Sequence, residues 1–221
     1  MFPSRKRELI ISQREHLRLV AQLALFWGNS QFDRPVLPWE PFRRGVAFHD
    51  WHYPELDTLA IIGAPEADWL AITKEGMAAE WGDPVTDIII KLHLQRLLSI
   101  NPSEERQALM AQLEAEIVAL LPATGFSRAD FVWADQITRL CDNISFFFCF
   151  EEPRQRTYAV GSRVGRDETL EVTLEVTGDG RVIVSPWPFS VPYIAGTLIG
   201  YDAAGYPDKL VPHLVPYHIC G

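Results

Sequence analysis

Apolar residues recur at helical spacing through the first two thirds of the chain, and strict alternation appears only after about residue 155. Leu19, Val20, Leu23, Ala24 and Trp27 form one stripe, and His16 falls on it. Ser12-Gln13-Arg14-Glu15 opens that segment with the form of a capping box, and Gly28 is placed to close it. Residues 29–40 carry Asn29, Pro35 and Pro38 and read as a loop. Pro41 is a first-turn residue for a second helix, with Phe42, Val46 and His49 on one side and Asp50 adjacent. Pro54 stops it, so His49-Asp50 is expected at a helix end beside a loop.

Residues 66–80 are weakly helical in pattern. Asp83-Pro84 is a cap and first-turn pair for a helix through Ile100, and His93 sits within its apolar surface of Ile89, Ile90, Leu94, Leu97 and Leu98. Asn101-Pro102 precedes a helix with Leu109, Leu113 and Ile117 at helical spacing. Ser127 caps a long one, from Phe131 to Phe148, that is apolar nearly all round in its second half and expected to be the central buried element.

Beyond Pro153, Leu170, Val172, Leu174 and Val176 alternate with polar residues, Gly178-Asp179-Gly180 forms a turn, and Val182 and Val184 return. The tail, rich in Pro, Tyr and Gly, reads as loop or short strands. The expected architecture is mainly α: a bundle of about six helices over residues 1–155, with a β-hairpin appendage and tail over 156–221 packed on it as part of one structural domain.

Composition narrows the function classes. At 221 residues and 48% apolar content the chain can bury one full-sized core. Its net charge is −9 and its basic residues are scattered, clustering only at Arg5-Lys6-Arg7 and Arg43-Arg44, which excludes the electrostatic footprint of a nucleic-acid binder. The longest apolar run near the middle, Phe146 to Phe150, is far short of a membrane span. Cys141, Cys149 and Cys220 make no metal-binding spacing, and Met1 to Gln13 has no signal-type apolar stretch. Reduced thiols and a cytoplasmic location are expected. A small-molecule substrate is the expected partner, with no nucleic acid and no membrane.

The chemistry starts from Asp142. An unpaired carboxylate in an apolar helix half costs several kcal/mol, so it needs a partner, a cap or a cation. Asp135, seven residues earlier on the same face, competes with it. His16, His49, Asp50 and Asp142 come from three helices and together make a mixed nitrogen and oxygen donor set suited to Mn, Fe, Zn, Ni or Mg. The ordinary alternatives are a histidine satisfied in the core and an aspartate bridging helices. His93 is either a further ligand or substrate contact or a structural histidine. The connector Trp51 to Pro65 carries His52, Tyr53 and Asp57 and is either a surface loop or a pocket rim, with His52 and Asp50 placed for proton transfer. Arg43 and Arg44 are anion contacts or solvated surface residues.

The order of these residues resembles the HD-domain phosphohydrolases: a His on a first helix, a His-Asp doublet on a second, an Asp on a late helix. Gln13-x-x-His16, His49-Asp50 with its aromatic and Pro-x-Leu, the Leu140–Cys149 segment and Pro186-Trp187-Pro188-Phe189 extend the likeness over nearly the whole chain, towards a bacterial branch without an established activity. The resemblance implies that His16, His49, Asp50 and Asp142 hold one or two divalent ions. It implies hydrolysis of a phosphate ester or nucleotide by a metal-activated water. The sequence departs from many such enzymes at Trp51-His52-Tyr53-Pro54, where they continue with small and basic residues. The alternative is a metal- or ligand-binding sensor of the same fold without turnover.

Overall fold

The computed structural model describes residues 1–57, 64–152, 154–163 and 168–221. Six α-helices lie among them: α1 (Gln13–Leu25), α2 (Trp39–Ala47), α3 (Glu66–Ala78), α4 (Pro84–Leu98), α5 (Glu104–Thr124) and α6 (Arg128–Phe150). The caps sit where their chemistry places them. Ser12 accepts from the Glu15 amide, Asp83 from Val85 and Thr86, and Ser127 forms a full capping box with Asp130. The Glu15 carboxylate does not return to Ser12. It accepts from the backbone amide of Ile199, 2.7 Å away, and so ties α1 to the sheet.

The mainly α expectation is wrong. The helices share the molecule with one curled, seven-stranded mixed sheet. Its strands are β1 (Phe2–Pro3), β2 (Leu9–Ile11), β3 (Arg156–Gly161), β4 (Thr169–Val176), β5 (Val182–Ser185), β6 (Tyr193–Asp202) and β7 (Pro212–Cys220), in the order β1-β2-β6-β7-β5-β4-β3. The alternating segment 170–184 is there as β4 and β5, but these are interior strands of the sheet, between β7 and the edge strand β3, and not an appendage. The β5–β7 pair is parallel and all others are antiparallel.

The tail, read as loop or short strands, supplies the two longest strands. Val215, Tyr217 and Ile219 of β7 are buried while Leu214 is exposed, and Ile194 and Leu198 of β6 face the same core. Pro and Gly disguise this pattern. Pro216 pairs with Thr197 where β5, which meets β7 only at Ile219 and Cys220, no longer runs beside it, so its missing N–H falls at an open edge. Gly196 is bare because a Cβ there would meet the Tyr217 hydroxyl at 2.4 Å.

The main core joins α1, α2, α4 and α6 to the inner face of the sheet, through side chains such as Leu19, Leu23, Phe42, Ile88, Ile137, Val172 and Ile219. A second cluster, with Tyr53, Leu70, Leu94, Leu98 and Leu113, fills the space among α3, α4 and α5. Val85 to Leu94 of α4 is buried without interruption, so α4 shares with the C-terminal half of α6 the central place expected of α6 alone. No single helix among the described residues is long and apolar enough to cross a membrane.

Candidate metal centre

Where α1, the end of α2, α4 and α6 converge, five ionisable side chains are buried together: His16, His49, Asp50, His93 and Asp142. His16 Nε2 is 3.2 Å from Asp142 Oδ1 and 3.9 Å from Asp50 Oδ2. His49 Nε2 is 3.6 Å from each of the same two oxygens. The four residues singled out in the sequence are therefore brought together, in two overlapping triads that share His49: His16, His49 and Asp142, and His49, Asp50 and His93.

Each side chain is aimed by local structure. The His16 ring lies between Phe2 of β1 and Phe146 of α6, with centroids 4.8 Å away on both sides. His49 follows the end of α2, and its Nδ1–H donates to the Val46 carbonyl at 2.7 Å, which turns the Nε2 lone pair inward. Asp50 is held from two directions. Gln13 Nε2 donates to Oδ2 and His93 Nε2–H donates to Oδ1, both at 2.6 Å. Arg96 fixes the His93 tautomer. Its guanidinium has no acceptor, so it donates to His93 Nδ1 at 2.7 Å and leaves the proton on Nε2. Arg96 in turn pairs with Asp135.

Electrostatics follow from that arrangement. Burial alone would raise the Asp50 pKa; the imidazoles of His93 and His49 overcome it and hold the carboxylate well below its usual range. Burial is likewise outweighed at Asp142, by contacts with His16 and His49. At His49 burial disfavours the charged ring, yet Asp50 and then Asp142 raise its pKa above the ordinary 6.5. His93 goes the other way: burial, with His49 and Arg96, outweighs Asp50 and lowers its pKa below the ordinary 6.5.

The donor set fits a divalent ion. Ligands at ~2.0–2.2 Å from a tetrahedral or octahedral centre stand roughly 3.0–3.5 Å apart, close to the 3.2–3.9 Å spread here. His16 Nε2, His49 Nε2 and Asp142 Oδ1 are buried without a hydrogen-bond partner. The first and last are near enough but are not aligned for a hydrogen bond. Orphaned buried donors of this kind cost free energy unless something fills the space between them.

Other sequence candidates lie elsewhere. Asp135 belongs to Arg96, not to the donor set. His93 touches the centre through Asp50 and has both ring nitrogens engaged, which leaves it no lone pair for an ion. His52 does not line the cavity that opens on Asp50. It borders a separate cleft of about 200 Å³, its ring against the bare Gly76, and burial pushes its pKa down to about 4. Arg43 pairs with Glu40 at 2.8 Å and borders another groove together with Arg44. Asp57 accepts from the Gln13 amide, while residues 58–63 of the expected rim lie outside the described residues.

Gln13 and Arg96 are the participants that sequence patterns did not assign. Arg96 had a signal, standing one turn after His93 on α4; the Phe2 contact on His16 had none.

Comparison with curated proteins and with solved structures gives no match. A family model matches residues 3–198, which takes in all four donor residues, Gln13, His93 and Arg96. By that match the chain belongs to the family described as "Protein of unknown function (DUF3891)".

Proposed function

We propose that this protein is a metal-dependent hydrolase of the HD type, acting on a phosphate ester through a water activated at the centre formed by His16, His49, Asp50 and Asp142. One observation carries the reading: three of the four converging donor atoms are buried and without hydrogen-bond partners. The order of the donors along the chain supports it, a His on α1, the doublet after α2 and an Asp on α6. So does a cavity of about 620 Å³ that has Asp50 in its wall.

A divalent ion at such a site supplies Lewis acidity and lowers the pKa of a bound water towards neutrality. The protein's residues do the rest. Gln13 and His93 orient Asp50, so that its carboxylate meets the cavity in one fixed geometry. Asp50, engaged by two donors and held well below the usual carboxylate range, stays ionised as a ligand, and a proton released on water activation would leave through the cavity to solvent. His52, in its own cleft and with a depressed pKa, is not required for this step.

Elemental analysis of untagged protein is the direct test, followed by a panel of phosphate esters with Mn, Fe, Zn, Ni and Mg. The expected result is stoichiometric metal in the wild type, its loss in His49→Ala and Asp142→Ala, and turnover that follows the metal. Full metal content in both variants would remove the centre. Metal without turnover on any ester would leave the sensor reading in its place.

A further inference from the structure

The cavity beside Asp50 has walls of two kinds. Tyr53 and Trp69 stack at 6.0 Å with their planes 17° apart, and Phe146 and Phe150 line it from α6. Leu97 and Ile100 at the end of α4 continue the apolar surface. At about 620 Å³ it suits a body of two fused rings or more, within the ~300–1,000 Å³ range of small-molecule sites.

Among the described residues, Arg5, Arg106 and Arg156 face Asp50, Glu66 and Glu152. Arg106 is held in a two-pronged pair with Glu66, 2.7 Å at each contact, and lies 4.3 Å over the Trp69 ring. Arg5 and Arg156 approach the two oxygens of Glu152 at 3.5 and 3.8 Å. Behind Asp50, Arg96 is spent on His93, on Asp135 and on Asp142 Oδ2, 3.7 Å away. With Asp50 committed to the metal, Arg5 and Arg156 sharing Glu152 leave one positive charge over, enough beside a single anionic group and too few for a polyphosphate chain.

We infer that the cavity takes an aromatic-bodied monoester, its single anionic group at the metal centre and its rings between the Tyr53–Trp69 pair and Phe146, and that it rejects polyphosphate nucleotides. This rests on the hydrolase reading for the identity of the reacting group, but the binding preference can be measured without turnover.

The test is calorimetric titration of the manganese-loaded full chain with three non-hydrolysable or inert probes: 1-naphthylmethylphosphonate, the β,γ-methylene analogue of ATP, and inorganic phosphate. The naphthyl probe is expected to bind at least tenfold more tightly than either of the others. Trp69→Ala should weaken it by about tenfold through lost ring contact, with the metal content unchanged. Ile100→Asp, at a position 65% exposed and therefore safe for folding, should weaken it comparably by adding a negative charge to the wall. Tighter binding of the ATP analogue, or affinity for the naphthyl probe unchanged in both variants, overturns the inference. A separate assay with 1-naphthyl phosphate distinguishes the two levels. Tight binding of the phosphonate without hydrolysis of the ester would end the hydrolase reading and keep the pocket. Hydrolysis of nucleotides with weak naphthyl binding would keep the hydrolase and end the pocket assignment.

Discussion

Arg96 reaches the centre from behind, 3.7 Å from Asp142 Oδ2, and through His93 it decides how Asp50 is held. Because a guanidinium only donates, His93 must present a lone pair to it and a proton to Asp50. Replacing Arg96 by Met frees the ring to change tautomer and should lower metal affinity about 10–100-fold, as loss of an orienting partner typically does. Competition with a calibrated chelator reads that shift, and an affinity equal to wild type would show that His93 is oriented without it. The histidines also set a pH signature. His49, with a pKa raised above 6.5, adds stability to the metal-free protein below that value and loses it as pH climbs through the raised value. His52 and His93 have lowered values, so below 6.5 the unfolded chain binds protons that they refuse and stability falls; for His52 the fall extends to about pH 4. The chelated protein should therefore melt highest near pH 6.5 and lower on both sides. Metal takes the place of the His49 proton and should flatten the alkaline side. A melting temperature of chelated protein that climbs steadily from pH 6 to 9 would contradict the assignment of His49.

At the scale of elements, the doublet is placed by how closely α2 approaches α4. Gly45 allows it: a Cβ there would sit 2.7 Å from Ile89 Cβ and 3.2 Å from the Thr86 carbonyl. Gly45→Ala should cost about 1–3 kcal/mol by overpacking, seen as a lower denaturation midpoint at unchanged slope. It should also weaken metal binding, since His49 and Asp50 follow directly from α2. Denaturation indistinguishable from wild type would mean that the two helices part at no cost. Nothing in the sequence marks Gly45 as a contact point, because a helical glycine reads only as a weak residue. The helices themselves were legible, since their caps and 3.6-residue periodicity are local. The sheet was not. β6 and β7 carry Gly196 against the Tyr217 ring, Gly200 against a Val215 methyl, and Pro212 and Pro216 beyond the reach of β5, and those reasons exist only in three dimensions. β1 and β2, of two and three residues, are too short for any period to show.

At the scale of the molecule, the centre joins segments that are distant in sequence, with α1 and the end of α2 on one side and α6 on the other. Its four donors were legible because polar residues on apolar stripes are conspicuous; their orientation, through Gln13, Arg96 and the Phe2 ring, depends on the assembled fold. Met1 to Ile11 has no helical stripe, and it is the sheet pairing of β1 that brings Phe2 against His16. A ligand that ties three segments together and has no site in the unfolded chain stabilises by mass action, about 2.7 kcal/mol at a hundredfold excess over Kd. For a chain of this length each kcal/mol moves the melting temperature by roughly 2–4 °C, so manganese or zinc should raise it by roughly 5–10 °C over chelated protein at pH 8. Asp142→Asn keeps the shape of the helix but leaves a weaker donor, and should lose most of that rise. Asp135→Asn perturbs only the Arg96 partner and should keep most of it. Equal metal-dependent shifts in wild type and Asp142→Asn, or a rise lost in Asp135→Asn and kept in Asp142→Asn, would move the last ligand away from Asp142 and require the centre to be redrawn.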